Sequence, residues 1–390
     1  MTGTWYVVRG ASVSLMLACL AGSAVRGQEP SRPPRTTHHV PSTSNVVLVV
    51  IDGARWQEVF RGGDCALMTK TQGVGDTLRL RASYCRSTPD SARAVLMPFL
   101  WGTVARRGMI LGNRDQGSDV HISNSMKFSY PGYNEILTGA ADPRIDKNAF
   151  GPNPNVTVYE WLAHRPGFAG KVRVWGTWDV FDSIFNEPRA GIPVRSGWDV
   201  PFPRARDAGE AELDALWATT TRYWDYMPPD AFLQRAVLKS LQHDHPRVLF
   251  VGFGESDEWA HDRRYDLYLG SLHDADGYLA QLWRTLQSMS AYRGKTTLLV
   301  VTDHGRGRTT ETWTDHGREV EGAEEIWFAA LGRGVPAAGA VKGGSQMVQA
   351  QVAATLAALV GERWVGVNAA AAPAVDFRSY TPTASTMEHR

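Results

Sequence analysis

Three runs of apolar, largely β-branched residues constrain this chain more than any other feature. Residues 45–51 (NVVLVVI), 247–253 (RVLFVGF) and 297–302 (TLLVVT) have the length of strands and no polar alternation. A strand with one face in water alternates, so these runs predict strands covered on both faces, as in the interior of a parallel α/β sheet. Each run leads into acid: Asp52 follows the first, Glu255 and Asp257 the second, Asp303 the third. Ligands of open parallel sheets bind beyond the carboxyl ends of the strands, so these acids can meet at one point. Such a point would be strongly negative unless it held cations.

Weaker strand signals at 171–176 and 326–331 alternate with helix-like stretches at 156–163, 229–242, 268–288 and 346–360. That alternation predicts an α/β fold, with a mostly parallel central sheet flanked by helices on both faces, in a single large domain with loop insertions. A length of 390 residues with 43% hydrophobic content supplies the core for it. The domain is expected over 45–380, with 198–225 as a long irregular excursion near the sheet edge or site mouth and 381–390 as a flexible tail. No repeat of fixed period interrupts this pattern.

Residues 1–27 read as a secretory signal, with Arg9, an apolar run rich in small residues over 11–24, and polar Gln28 and Glu29 beyond. The run falls short of the ~20 apolar residues that span a bilayer, and no later stretch reaches that length. An uncleaved anchor and a lipid anchor at Cys19 are the alternatives. Residues 28–44, rich in Pro, Ser and Thr, read as a linker. The expectation is an exported protein, periplasmic or secreted, with no transmembrane span in the mature chain. Export would allow Cys65 and Cys85 to form a disulfide, two free buried thiols being the other reading. The balance of 41 Lys+Arg against 40 Asp+Glu leaves +1, so no patch for nucleic acid is evident and specific sites must carry the function.

Asp257 and His261 stand at i, i+4, which places a carboxylate and an imidazole on one face of a helix. Asp303-His304 is a second mixed pair, and His316 follows at loop distance. Singly, a strand-end Asp is often a helix cap and a lone His a core side chain; the joint order raises the metal reading. Three Asp and three His suit divalent ions, zinc first, with manganese or magnesium less favoured as imidazole content rises. The nucleophile candidate is Ser129, predicted to cap a helix with Pro131 in its first turn. Such a terminus favours anions, and a metal ion lowers the pKa of a hydroxyl enough for attack near neutral pH. An ordinary capping serine is the plain alternative.

Together these residues resemble the alkaline phosphatase superfamily, most closely its type I phosphodiesterase and nucleotide pyrophosphatase branch. The resemblance runs across most of the chain. It rests on Asp52-Gly53, on Ser129-Tyr-Pro with a helix to Thr138-Gly139, on Asp257 with His261, on Asp303-His304-Gly305 and on His316. It implies one metal held by Asp52, Asp303, His304 and Ser129, and another held by Asp257, His261 and His316. It also implies that Asn148 steadies a non-bridging phosphoryl oxygen while small phosphate esters are hydrolysed through a phosphoseryl intermediate.

The branch usually carries threonine where Ser129 stands. A sulfatase of this superfamily needs Ser or Cys, then Pro two positions on and Arg four on; Tyr133 breaks that pattern. Residues 176–181 offer no Lys or Arg to meet the extra charge of a monoester, which tilts the expectation toward diesters unless Arg189 or Arg195 reaches in. Trp178, Phe181 and Phe185 either wall a leaving-group pocket or belong to the core. The alternatives are an alkaline-phosphatase-type monoesterase, a phosphomutase- or transferase-like enzyme, and a non-catalytic anion-binding relative.

Overall fold

The structure, a computed structural model, describes residues 44–344, 346–364 and 370–380. The expected signal at 1–27, Cys19, the linker up to residue 43 and the tail at 381–390 lie outside the described residues. Among the described residues ten strands are formed: β1 (Asn45–Ile51), β2 (Gly108–Leu111), β3 (Asp119–His121), β4 (Val172–Gly176), β5 (Val194–Ser196), β6 (Val248–Phe253), β7 (Thr296–Val301), β8 (Phe328–Gly332), β9 (Gly339–Ala340) and β10 (Gln346–Val348). Eight make one sheet in the order β5-β4-β6-β1-β7-β8-β2-β9, and β10 pairs with β3 apart from it.

The three apolar runs are the adjacent strands β6, β1 and β7, all parallel. Val47, Val49 and Ile51 of β1 enter one core layer while Val46, Leu48 and Val50 enter the other. This two-sided burial is why the runs do not alternate. The expected fold, a mostly parallel sheet between helical layers, is the one formed.

One strand runs against the rest. β8 is antiparallel to both β7 and β2. A parallel return needs a crossover, usually a helix, and the connection 302–327 contains none. It is spent instead on a loop bearing Asp303, His304 and His316, pinned by Gly305 N to Ala323 O at 2.9 Å and Ile326 N to Val120 O at 3.1 Å.

Helices Val158–Ala163, Asp230–Asp244 and Tyr265–Ser288 lie where periodicity predicts them. The stretch 346–360 is corrected: its first residues pair as β10 with β3, and the helix is Gln351–Leu359. The excursion 198–225 holds a helix, Ala208–Thr219, whose Leu213 joins the core while its buried Trp217 packs on Phe232. Its start is capped by Asp207, which accepts the Glu210 amide, while the Glu210 carboxylate reaches back past the cap to the amide and guanidinium of Arg206. Cys65 and Cys85 are bonded, with Cα atoms 5.3 Å apart, which removes the free-thiol reading. Among the described residues no helix is long and apolar enough to cross a membrane.

Candidate metal centre and active site

The carboxyl ends of β1, β6 and β7 bring Asp52, Asp257 and Asp303 together, with Asp257 and His261 one turn apart on helix Glu255–His261. The site's logic lies in which carboxylate oxygens have donors. Asp52 Oδ2 accepts from the Tyr133 hydroxyl at 2.9 Å, and Asp303 Oδ1 accepts from the Gly53 amide at 3.1 Å. Asp52 Oδ1 and Asp303 Oδ2 are buried with no donor at all. His304 Nδ1 donates to Gly305 O at 2.9 Å, which leaves the Nε2 lone pair facing inward.

That Nε2 lies 3.4 Å from Asp52 Oδ1, 3.4 Å from Asp303 Oδ2 and 3.3 Å from Ser129 Oγ. Ligands about 2.0–2.1 Å from a tetrahedral zinc ion stand about 3.3–3.4 Å apart, so this inner set has metal-ligand spacing. Orphaned buried acceptors are costly, and a bound cation would satisfy both at once.

A second set lies toward the solvent. His261 Nε2 is 3.0 Å from Asp257 Oδ2 and 3.0 Å from His316 Nε2. His304 stands between the sets, its ring stacked on His316 at 4.0 Å between centroids and its Nε2 3.6 Å from Asp257 Oδ1. Polar atoms of Asp257, His304 and His316 accordingly form one group within 4.8 Å, and those of Asp52, Asp303 and His304 another.

Electrostatics follow from burial. Burial, then the charges of Asp303 and Asp257, push Asp52 well above the usual carboxylate range. Burial and Asp257 push Asp303 up to about 7. Burial would raise Asp257 too, but the Arg306 guanidinium and His261 overcome it and hold that carboxyl well below its ordinary value. Asp257 lifts His261, whereas burial and His304 depress His316, keeping it neutral as a metal ligand must be. A divalent ion would reverse the repulsion that raises the inner carboxyls.

Ser129 is not the cap that its sequence context predicts. Phe128 is the N-cap of helix Ser129–Thr138 and offers no side-chain cap, so Ser129 opens the helix and its hydroxyl faces His304. The preceding Lys127 sits at φ 56°, a left-handed conformation costly for a side-chain-bearing residue. Its amide donates to Asn124 Oδ1 and its ammonium to Glu324, both at 2.9 Å, which holds the turn. Gly132 permits the close approach: an added Cβ would lie 2.4 Å from Asp303 O.

Asn148 Oδ1 accepts the Tyr130 amide at 3.0 Å, which leaves the Nδ2 end as a donor in a cleft that Asn148 lines. That bond also takes the Tyr130 amide out of the first-turn donors that an anion at this terminus could use.

The cleft over Ser129 has a volume of about 480 Å³, and acids Asp179, Glu258 and Asp262 share its lining with Trp178 and Tyr226. Among the described residues no Lys or Arg lines it. Arg189 pairs with Glu160, and Arg195 donates to the carbonyls of Val194 and Pro201, so neither reaches in. Phe181 and Phe185 are core residues packed on Phe250; of the three aromatics only Trp178 faces the cleft.

Two site residues went unread in the sequence. Tyr133, noted there only for breaking a sulfatase pattern, donates to Asp52. Arg306 follows His304 by two, but whether a guanidinium turns inward is not encoded in spacing.

Solved structures share this fold at low identity. The alkaline phosphatase PafA aligns over 86% of this chain and 99% of its own, with a TM-score of 0.53 and 11% identity. The fold is alkaline-phosphatase-like. Ps i-CgsB in complex with k-i-k-neocarrahexaose aligns over 87% of this chain and 76% of its own, with a TM-score of 0.52 and 15% identity. The phosphonate monoester hydrolase SpPMH from Silicibacter pomeroyi aligns over 87% and 78%, with a TM-score of 0.50 and 13% identity. No family model and no curated protein matches the chain. Identities this low speak for the alkaline phosphatase fold, and the site residues must argue the chemistry.

Proposed function

We propose that this chain is an exported hydrolase of phosphate esters that uses two divalent ions and Ser129, and prefers singly charged esters such as phosphodiesters. The observation that carries the reading is the pair of orphaned oxygens, Asp52 Oδ1 and Asp303 Oδ2, at ligand spacing from His304 and beside the Ser129 hydroxyl. Asp52, Asp303, His304 and Ser129 would hold one ion, and Asp257, His261 and His316 the other, zinc suiting the imidazole-rich set best. When bound, such ions lower the pKa of a nearby hydroxyl and take up charge on phosphoryl oxygens.

The chain's own groups do the rest. Ser129 Oγ attacks phosphorus, the bond to the leaving alcohol oxygen breaks, and a phosphoseryl enzyme results. Water then cleaves the serine ester and restores the hydroxyl. Asn148, its orientation held by the Tyr130 amide, donates from Nδ2 to a non-bridging oxygen as charge builds there.

The cleft's lining supports the preference for a single charge. A monoester dianion would meet Asp179 and Glu258 with no basic side chain to offset them. SpPMH is described as a phosphonate monoester hydrolase; phosphonate monoesters are also singly charged and fit the same argument as a second reading. The formylglycine pattern of sulfatases is absent, Tyr133 being engaged with Asp52 instead. The Cys65–Cys85 disulfide supports an oxidising compartment.

The test is hydrolysis of bis-p-nitrophenyl phosphate against p-nitrophenyl phosphate and p-nitrophenyl phenylphosphonate by metal-stripped, zinc-reloaded protein. Zinc-dependent turnover of the singly charged esters should fall by roughly 10³-fold or more in Ser129→Ala. A preference for p-nitrophenyl phosphate would overturn the charge argument, and an unaffected Ser129→Ala would overturn the nucleophile. Transfer of the phosphoryl group to an added alcohol in place of water would mark a transferase.

A further inference from the structure

Arg306 is fully buried, and its guanidinium joins three segments of the site. It donates to Gly53 O at 3.2 Å, next to Asp52; to the Asp257 carbonyl at 3.0 Å and to Asp257 Oδ1; and to Thr314 O, two residues before His316. Room for it is made by Gly53 at φ 59°, where an added Cβ would lie 2.4 Å from Asp257 Oδ1 and 2.9 Å from the guanidinium. From this geometry we propose that Arg306 makes the two metal positions unequal. The Asp257–His261–His316 set binds its ion more weakly than the inner set, and fills together with an anionic ligand. The proposal rests on the two-metal reading above.

The argument is one of ligand atoms and charge. An arginine stays protonated at every working pH, and a buried one keeps its carboxylate partner because separating them strands a charge. Asp257 therefore offers only Oδ2, the oxygen 3.0 Å from His261 Nε2. The inner set has two carboxylates, Asp52 and Asp303, whose orphaned oxygens no cationic side chain reaches, so a dication there is neutralised. The outer set has one carboxylate already matched to Arg306, so a dication there brings two positive charges that its own ligands leave uncompensated. Glu258 and Asp262 lie in the same cleft and keep their charge, but each is turned to a tyrosine hydroxyl, Tyr226 and Tyr223, and stands outside the ligand set, so they soften the imbalance at the outer ion from a distance without supplying it a ligand.

The missing negative charge is what a phosphoryl anion supplies. Linkage is reciprocal, so phosphate must tighten the outer ion by the factor by which that ion tightens phosphate. Exposure acts in the same direction. The side chains of Asp52, Asp303 and His304 are at most 7% exposed, whereas His261 is 44% exposed and open to exchange.

The experiment is a calorimetric titration of the metal-stripped full chain with Zn²⁺, with and without inorganic phosphate, with bound zinc counted by elemental analysis. Two steps are expected, their Kd values separated by about tenfold or more, with phosphate tightening only the weaker one. Arg306→Met should draw the weaker step about tenfold toward the tighter one, and Arg306→Lys should keep them apart.

Two indistinguishable sites in the wild type would overturn the proposal, as would a folded Arg306→Met whose weaker step has not moved. Should Arg306→Met fail to fold, the wild-type titration still decides, joined by Asp257→Asn, which should abolish the weaker step alone. Loss of the tighter step in Asp257→Asn would overturn the assignment. A chain that binds no zinc at all would sink the two-metal reading itself, an outcome separate from these.

Discussion

Glu135 and Asp303 are both completely buried, and their surroundings are opposite. Glu135 accepts from the amides of Ser123, Asn124 and Ala350, from the Ser123 hydroxyl and from the Asn124 side-chain amide. Asp303 has one backbone donor on Oδ1 and none on Oδ2. A carboxylate surrounded by donors is architecture: Glu135 ties the turn before Ser129 and the start of helix Gln351–Leu359 to helix Ser129–Thr138. A carboxylate left short of donors costs stability and is retained for something the side chains alone do not supply. Burial is common to both, so it is the count of donors, oxygen by oxygen, that separates scaffold from site.

The sharpest way to break this comparison is Asp303→Asn. It should cut zinc-dependent hydrolysis by roughly 10³-fold or more, by removing an inner ligand. It should also raise the unfolding free energy of the metal-free protein by about 1–2 kcal/mol, because one of several repelling buried carboxylates is gone. A denaturant midpoint that falls instead would show that Asp303 belongs with Glu135. Next in size, Asn148→Ala removes a donor to the phosphoryl oxygens and should lower kcat by about 10²-fold with zinc content unchanged; a change confined to KM would deny it that role.

On the scaffold side, Glu135→Gln should cost about 2–4 kcal/mol, since the new amide faces donors it cannot accept from. Urea unfolding reads this directly, and the fraction still folded should turn over normally. Asp276 provides the finest test, being buried with donors only from the amides of Phe99 and Leu100, at 2.7 and 2.8 Å. Burial pushes it up to about 6. A folded-state value above the unfolded one means its contribution to stability is full below about pH 4 and is lost as pH rises through about 6. Asp276→Asn should flatten that part of the pH profile of stability, and an unchanged slope would remove Asp276 as its source.

Much of the fold was legible because it depends on local pattern. Non-alternating runs at 45–51, 247–253 and 297–302 are what strands covered on both faces require, and they became the sheet's three central neighbours. Helix Ala208–Thr219 was equally legible in principle, through Asp207 and Glu210, but its weak amphipathicity hid it from a reading based on periodicity. The direction of β8 was not legible, since it follows from a helix-free connection whose course is set by contacts such as Ile326 with Val120. Nor was β10, whose residues continue a helical pattern and yet pair with β3.

The same division runs through the site. Asp52, Asp257, His261, Asp303, His304 and His316 could be singled out as candidates from strand ends and an i, i+4 pair, and Ser129 from its place at a helix start, because these are one-dimensional facts; Asn148 was singled out only through the family resemblance. The sequence by itself thus determined the class of fold and the chemical groups available at one end of the sheet. Only the tertiary structure decided how those groups are used. Which oxygen of Asp52 is left without a donor, that Arg306 claims Asp257, that Tyr130's amide is spent on Asn148, and that no arginine enters the cleft all depend on side-chain direction across segments up to 253 residues apart. Spacing along a chain carries no information about which way a guanidinium or a carboxylate turns once packing has fixed its neighbours.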